Sequence, residues 1–123
     1  MSTYNKEVKE KWSNTKEYKE FSEKTKNYSK EKSDSLINQM DEIMKDFSIC
    51  MLNNEDPNSI NVLNLVKKLQ NHITDNYYHC NNDVLLGLGK MYVLDSRFKN
   101  NIDKHANGTA QYISDAITLY CRK

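Results

Sequence analysis

Proline is nearly missing from this 123-residue chain, occurring once at Pro57. With so few breakers the sequence is free to run in long helices, since proline costs about 3 kcal/mol inside one. Glycine is scarce too, with three residues, two of them at Gly87 and Gly89. Gly87-Leu88-Gly89-Lys90 lacks a preceding strand and the spacing that turns backbone amides onto phosphates, which excludes a nucleotide loop. The three cysteines, Cys50, Cys80 and Cys121, are odd in number and lack the paired C-x-x-C spacing of zinc or redox sites. They read as reduced thiols of a cytoplasmic protein. No apolar run approaches the roughly 20 residues that span a bilayer, and Met1 to Lys11 is charged where a signal peptide would be apolar. Neither sign of charge dominates: 18 Lys and Arg face 17 Asp and Glu for a formal +1, spread along the same segments. That leaves no basic face for a nucleic-acid backbone.

What the chain does contain is helix formers and apolar residues at three- and four-residue intervals, predicting one all-α domain over residues 1–123. From Tyr4 to Lys32 lysine and glutamate dominate, and Val8, Trp12, Tyr18, Phe21 and Tyr28 supply the sizeable apolar surface. Two short helices divided at Asn14 or Thr15 fit this stretch, weakly anchored unless their aromatic residues dock. Ser29 or Ser33 caps a long helix to about Leu52 with a stripe through Leu36, Met40, Ile43 and Phe47. A polar turn around Pro57 follows, and Ser59 caps a helix bearing Val62, Val66, Leu69 and Ile73, so the pair should form a hairpin. Further starts are expected at Asn81 or Asn82 and at Asp95 or Ser96. Asn107-Gly108 breaks the chain before a last helix with Ala110, Ile113, Ile117 and Tyr120 on one face. The total is about six or seven helices.

The stretch from Tyr77 to Phe98 is the most unusual, crowding polar, aromatic and glycine residues into a helical pattern. A helical glycine costs roughly 1 kcal/mol relative to alanine, so two of them point to close backbone approach or to room left for a ligand. His72, Asn76, His79 and Asp83 follow at four-, three- and four-residue spacing. A continuous helical path would align their polar ends along one side of a cleft. A metal site from His72, His79, Cys80 and Asp83 lacks the spacing of zinc motifs. Nucleophilic catalysis by Cys80, with His72 or Asp83 as its base, lacks an oxyanion loop or a leaving-group acid, so no enzyme is expected.

Gly87-Leu88-Gly89-Lys90-Met91-Tyr92-Val93-Leu94-Asp95-Ser96-Arg97-Phe98, followed by Asp115-Ala116-Ile117, resembles the TipAS-type antibiotic-recognition domain. The segments Trp12 to Tyr18 and Tyr28 to Glu31 are similar to that family's N-terminal part, so the resemblance covers nearly the whole chain. It implies a globin-like helical domain without haem or other cofactor, whose cleft takes peptide-derived macrocyclic antibiotics, chiefly thiopeptides. It also implies the drug-sensing half of a MerR-type activator. DNA is then a partner only through an N-terminal module that this sequence lacks, and the alternative is a free-standing drug binder. Trp12, Tyr28, His72, Asn76, His79, Cys80, Asp83, Gly87 and Met91 are the expected ligand-binding residues.

In the best-known members of this family a cysteine thiolate captures thiopeptides by adding to a dehydroalanine. With the family's Met-Tyr-Val set on Met91-Tyr92-Val93, that cysteine position falls on Gly87, so capture there is excluded and reversible binding is expected. Cys80 lies seven residues earlier, on roughly the same face if the helix is continuous; it is a candidate substitute nucleophile, with a small buried hydrophobe as an equally strong reading. Glycine at position 87 would widen the cleft floor for a bulkier ligand. A ligand could also gather Trp12, Phe21 and Tyr28 over itself and order residues 1–32. Two other classes compete: a haem-binding globin-like protein with His72 or His79 as axial ligand, and a helical protein-interaction module.

Overall fold

Helix starts follow local capping chemistry. Ser29 accepts the Lys32 N–H at 3.0 Å, Ser59 the Val62 N–H at 3.3 Å, Asn81 the Val84 N–H at 2.9 Å and Asp95 the Arg97 N–H at 2.9 Å. Each satisfies an amide that the first helical turn leaves without a partner. The computed structural model describes residues 16–122. Among them run α1 Lys16–Thr25, α2 Lys30–Leu52, α3 Ile60–Asn76, α4 Asn82–Leu94, α5 Ser96–Asp103 and α6 Thr109–Cys121, with no strand.

The core forms where the apolar stripes of α2, α3, α4 and α6 meet. Phe47, Val62, Val66, Leu69, Leu85, Ile113 and Ile117 are fully buried there, the one-sided burial that a 3.6-residue repeat produces. The α2–α3 hairpin packs as expected, and α4 makes the most extensive contact with α6. That contact needs Gly89: a Cβ there would stand 3.3 Å from Cδ1 of Ile117. Gly108 meets a different demand, adopting a left-handed φ of 96° at the break before α6. Having no side chain to cap with, it leaves that role to Asp103, whose carboxylate accepts the Ala110 N–H at 2.8 Å.

The path from His72 to Asp83 is not one helix. α3 ends at Asn76, residues 77–81 are non-helical, and α4 begins at Asn82. The Tyr77 and Tyr78 amides both close on the Ile73 carbonyl, at 2.9 and 3.1 Å, and the Asn81 cap starts a separate helix. The expected alignment of His72, Asn76, His79 and Asp83 is therefore broken. So is the helical continuity that would have put Cys80 on one face with Gly87.

α1 is short and polar, and it is held by specific bonds to the end of α3 and the linker that follows. Lys24 Nζ donates to the Thr74 carbonyl at 2.6 Å, Glu20 accepts the His79 N–H at 2.9 Å, and Phe21 stacks on Tyr77 with ring centroids 5.9 Å apart. Just beyond it, the Tyr28 hydroxyl donates to the Asn76 carbonyl at 2.7 Å. The expected split at Asn14 or Thr15, and Trp12 itself, lie outside the described residues.

Candidate functional site

Between α2 on one side and α4 and α5 on the other lies a cleft of about 660 Å³. Ile37, Met40 and Met44 of α2 form one wall, and Leu88, Met91 and Tyr92 of α4 with Phe98 and Ile102 of α5 form the other. Phe21, Ile73, Tyr77 and Tyr78 close one end. The volume falls in the range of drug-sized pockets, and walls of aromatic and thioether side chains suit a large ligand of irregular shape. α4 and α5 can share one wall because Asp95 ends the first and caps the second, turning the chain between Tyr92 and Phe98, whose rings stay 6.1 Å apart.

The charged groups on the cleft are already matched. Asp41 of α2 meets His105 Nε2 at 2.9 Å and Lys104 Nζ at 3.2 Å, tying the two walls together at one end. The His105 hydrogen bond, with Lys104 beside it, holds the Asp41 carboxyl below its usual range. Asp95 is held low by hydrogen bonds from the Arg97 side chain at 3.2 and 3.3 Å. The remaining polar groups include the uncharged amides of Asn38 and Asn101 and the Tyr77 and Tyr92 phenols, which burial pushes upward. Such a lining fits an uncharged ligand with hydrogen-bonding groups.

Of the ligand-binding residues expected from sequence, Met91 lines this cleft. Tyr28, Asn76 and His72 stand behind its closed end. The Asn76 amide donates to the His72 carbonyl at 2.9 Å and lies 3.4 Å from His72 Nδ1, and the Tyr77 ring meets the His72 ring edge-on at 5.9 Å. His72 is 8% exposed, and burial lowers its pKa, partly offset by the Leu36 carbonyl nearby. His79, Cys80 and Asp83 instead border an open polar recess with Gln70, Asn71 and Thr74. The haem alternative therefore finds neither His72 nor His79 on the cleft lining.

Cys80 is 2% exposed, and burial, with Cys121 nearby, pushes its thiol to about 11. That is the setting of a small buried hydrophobe rather than of a poised nucleophile. Gly87 is exposed one turn before Met91 and is not among the residues that line the cleft, and a Cβ there would meet nothing within 4 Å. Sequence reasoning missed Met40, Met44, Tyr92, Phe98 and Ile102 as cleft residues, because at helical spacing they look like core. Tyr77 and Tyr78 did carry a signal, an aromatic pair at the head of the unusual stretch.

The model of the TipAS antibiotic-recognition domain matches residues 4–120. The chain belongs to this family. It is 36% identical over 114 residues to the HTH-type transcriptional activator TipA of Streptomyces coelicolor, and equally to that of Streptomyces lividans, covering 93% of this chain and 45% of each relative. With the HTH-type transcriptional activator mta of Bacillus subtilis it shares 31% over 122 residues, 98% of this chain and 46% of the relative. The chain thus spans less than half the length of these activators. A solved structure of Streptomyces lividans TipAS in complex with nosiheptide, described as part of a thiopeptide antibiotic multidrug resistance system, superposes with a TM-score of 0.88 at 34% identity. The match covers 98% of this chain and 85% of that one. The all-helical, globin-like fold implied by the family is the fold observed.

Proposed function

We propose that this TipAS domain binds peptide-derived macrocyclic antibiotics of the thiopeptide class, reversibly, in the cleft between α2 and the α4–α5 wall. The observation that carries the reading is the cleft itself, about 660 Å³ of aromatic and methionine surface whose carboxylates are neutralised by the protein's own cations. The likeness to a nosiheptide-bound TipAS supports the same ligand class. No catalytic step is assigned, because the cysteines lie buried or half-buried with pKa values raised first by desolvation. The similarity to DNA-binding activators supports a role as cytoplasmic drug sensor within a longer regulator, with sequestration by the domain alone as the alternative. No helix among the described residues is long and apolar enough to cross a membrane.

Ligand also reaches the N-terminal segment in this reading. Phe21 already lines the cleft, so a bound macrocycle extending past it would draw Trp12 toward the site and order the residues around it. Native mass spectrometry against a thiopeptide panel, before and after denaturation, tests the assignment. Complexes that form and then vanish on denaturation are expected, and the absence of any complex would refute it. Amide exchange checks the ordering: equal protection before Lys32 with and without ligand would remove that part.

A further inference from the structure

Tyr92 is 6% exposed, lines the cleft and packs against Phe98. Its hydroxyl makes no hydrogen bond to another described residue, in contrast to Tyr28, Tyr112 and Tyr120, which donate to the Asn76 carbonyl, the Glu55 carbonyl and Gln70 Oε1. Nor is it sealed off, because among the described residues the one side-chain polar atom both occluded and unpaired is His72 Nε2. The small surface that Tyr92 keeps therefore includes its hydroxyl, and Tyr92 is one of the residues that line the cleft. Packing gives no reason for a phenol here. Phenylalanine would fill the same space without the cost of desolvating a hydroxyl.

Resting on the thiopeptide reading of the cleft, we propose that the Tyr92 hydroxyl is a ligand-binding and specificity-determining group: it donates a hydrogen bond to a neutral acceptor, an amide carbonyl or azole nitrogen, on the buried face of the ligand. Burial raises the phenol, with Cys80 nearby adding to the effect, so the group stays a donor throughout the working pH range. An acceptor-bearing ligand satisfies a buried polar group that water must otherwise serve. A ligand presenting bare hydrocarbon there strips that water and leaves the donor unpaired, which is how a single buried group discriminates.

Tyr92→Phe tests this with two readouts on the intact chain. Nosiheptide titrated into the unaltered protein and into the variant should bind the variant roughly three- to tenfold more weakly, the range of one neutral hydrogen bond. The urea midpoint of the ligand-free variant should stay equal or rise, whereas Tyr112→Phe, which loses a hydrogen bond made inside the protein, should lower it. Equal affinity of Tyr92→Phe and the unaltered protein overturns the inference and leaves the functional reading standing. A lowered urea midpoint for Tyr92→Phe also overturns it, because the hydroxyl would then be serving the fold. Failure of the unaltered protein to bind nosiheptide removes the thiopeptide reading and this inference with it.

Discussion

Gly89 on α4 faces Ile117 on α6 so closely that a Cβ would stand 3.3 Å from its Cδ1 and 3.5 Å from its Cγ2. Gly87, on the same helix, has open space where its Cβ would be. The two glycines therefore stand in different surroundings, tight helix packing for one and open, exposed space for the other.

Alanine at each position separates them. Gly87→Ala should stabilise the protein by about 0.5–1 kcal/mol, the helix propensity recovered at an exposed site. Gly89→Ala gains the same propensity but pushes on a fully buried isoleucine, and overpacking of this kind costs about 1–3 kcal/mol. Its net effect should be a loss of about 1 kcal/mol. Urea unfolding of the two variants checks this, and equal stabilisation by both would show that α6 yields freely.

Tyr28 holds the end of α1 to α3 through one hydrogen bond to the Asn76 carbonyl. Tyr28→Phe should cost about 1 kcal/mol, and the loss should be local. Amide exchange should quicken over residues 16–28 and stay unchanged in α4 and α6. Phe21→Ala should do more, since it removes both the stack on Tyr77 and a piece of the cleft lining. Faster exchange in α1 together with weaker thiopeptide binding is the expected pair of results.

These anchors also mark what the sequence did and did not disclose. Ser59 and Asn107-Gly108 were readable as boundaries because capping and left-handed turns are decided within a few residues. Ser29, Asn81 and Asp95 were each one of two candidates, and the structure selects among them. The interruption at residues 77–81 was not readable, because spacing alone treats His72 to Asp83 as an unbroken helix. The cleft was half readable. Its α4 wall lies in the unusual stretch, but Met40 and Met44 become lining only because α2 stands off from α4 and α5, a tertiary fact that an apolar stripe does not encode.

His72 gives the stability a pH dependence of known sign. Burial depresses its folded pKa below the ordinary value of 6.5. Near and below pH 6.5 the unfolded chain therefore binds a proton that the native state refuses. Stability is fully present above that value and falls as pH drops toward the folded pKa, by at most about 1.4 kcal/mol per pH unit for one group. Asp41, Asp95 and Asp103 have pKa values lowered below 3.8, so their contribution is lost only at more acidic pH. Urea midpoints between pH 7.5 and 5.5 should fall for the unaltered protein, and less for His72→Gln. Parallel slopes for the two would assign the dependence to another group.

Covalent capture of a thiopeptide turns on where a thiol stands. At pH 7.5 a thiol displaced to about 11, as Cys80 is, holds roughly one thiolate in 3,000, and its burial keeps a large electrophile away. Gly87→Cys would place a thiol at an exposed position of α4 one turn before the cleft residue Met91, with nothing to crowd it. There it should titrate near the ordinary value of about 8.5. Addition to a dehydroalanine forms one C–S bond from the thiolate to the alkene's terminal carbon, and the neighbouring carbon takes up a proton, so nothing leaves. Intact-mass measurement after denaturation should therefore find the summed mass of protein and antibiotic for Gly87→Cys, and protein alone for the unaltered chain. A persistent adduct on the unaltered chain that Cys80→Ala abolishes would instead mean that the buried thiol becomes accessible when the ligand enters.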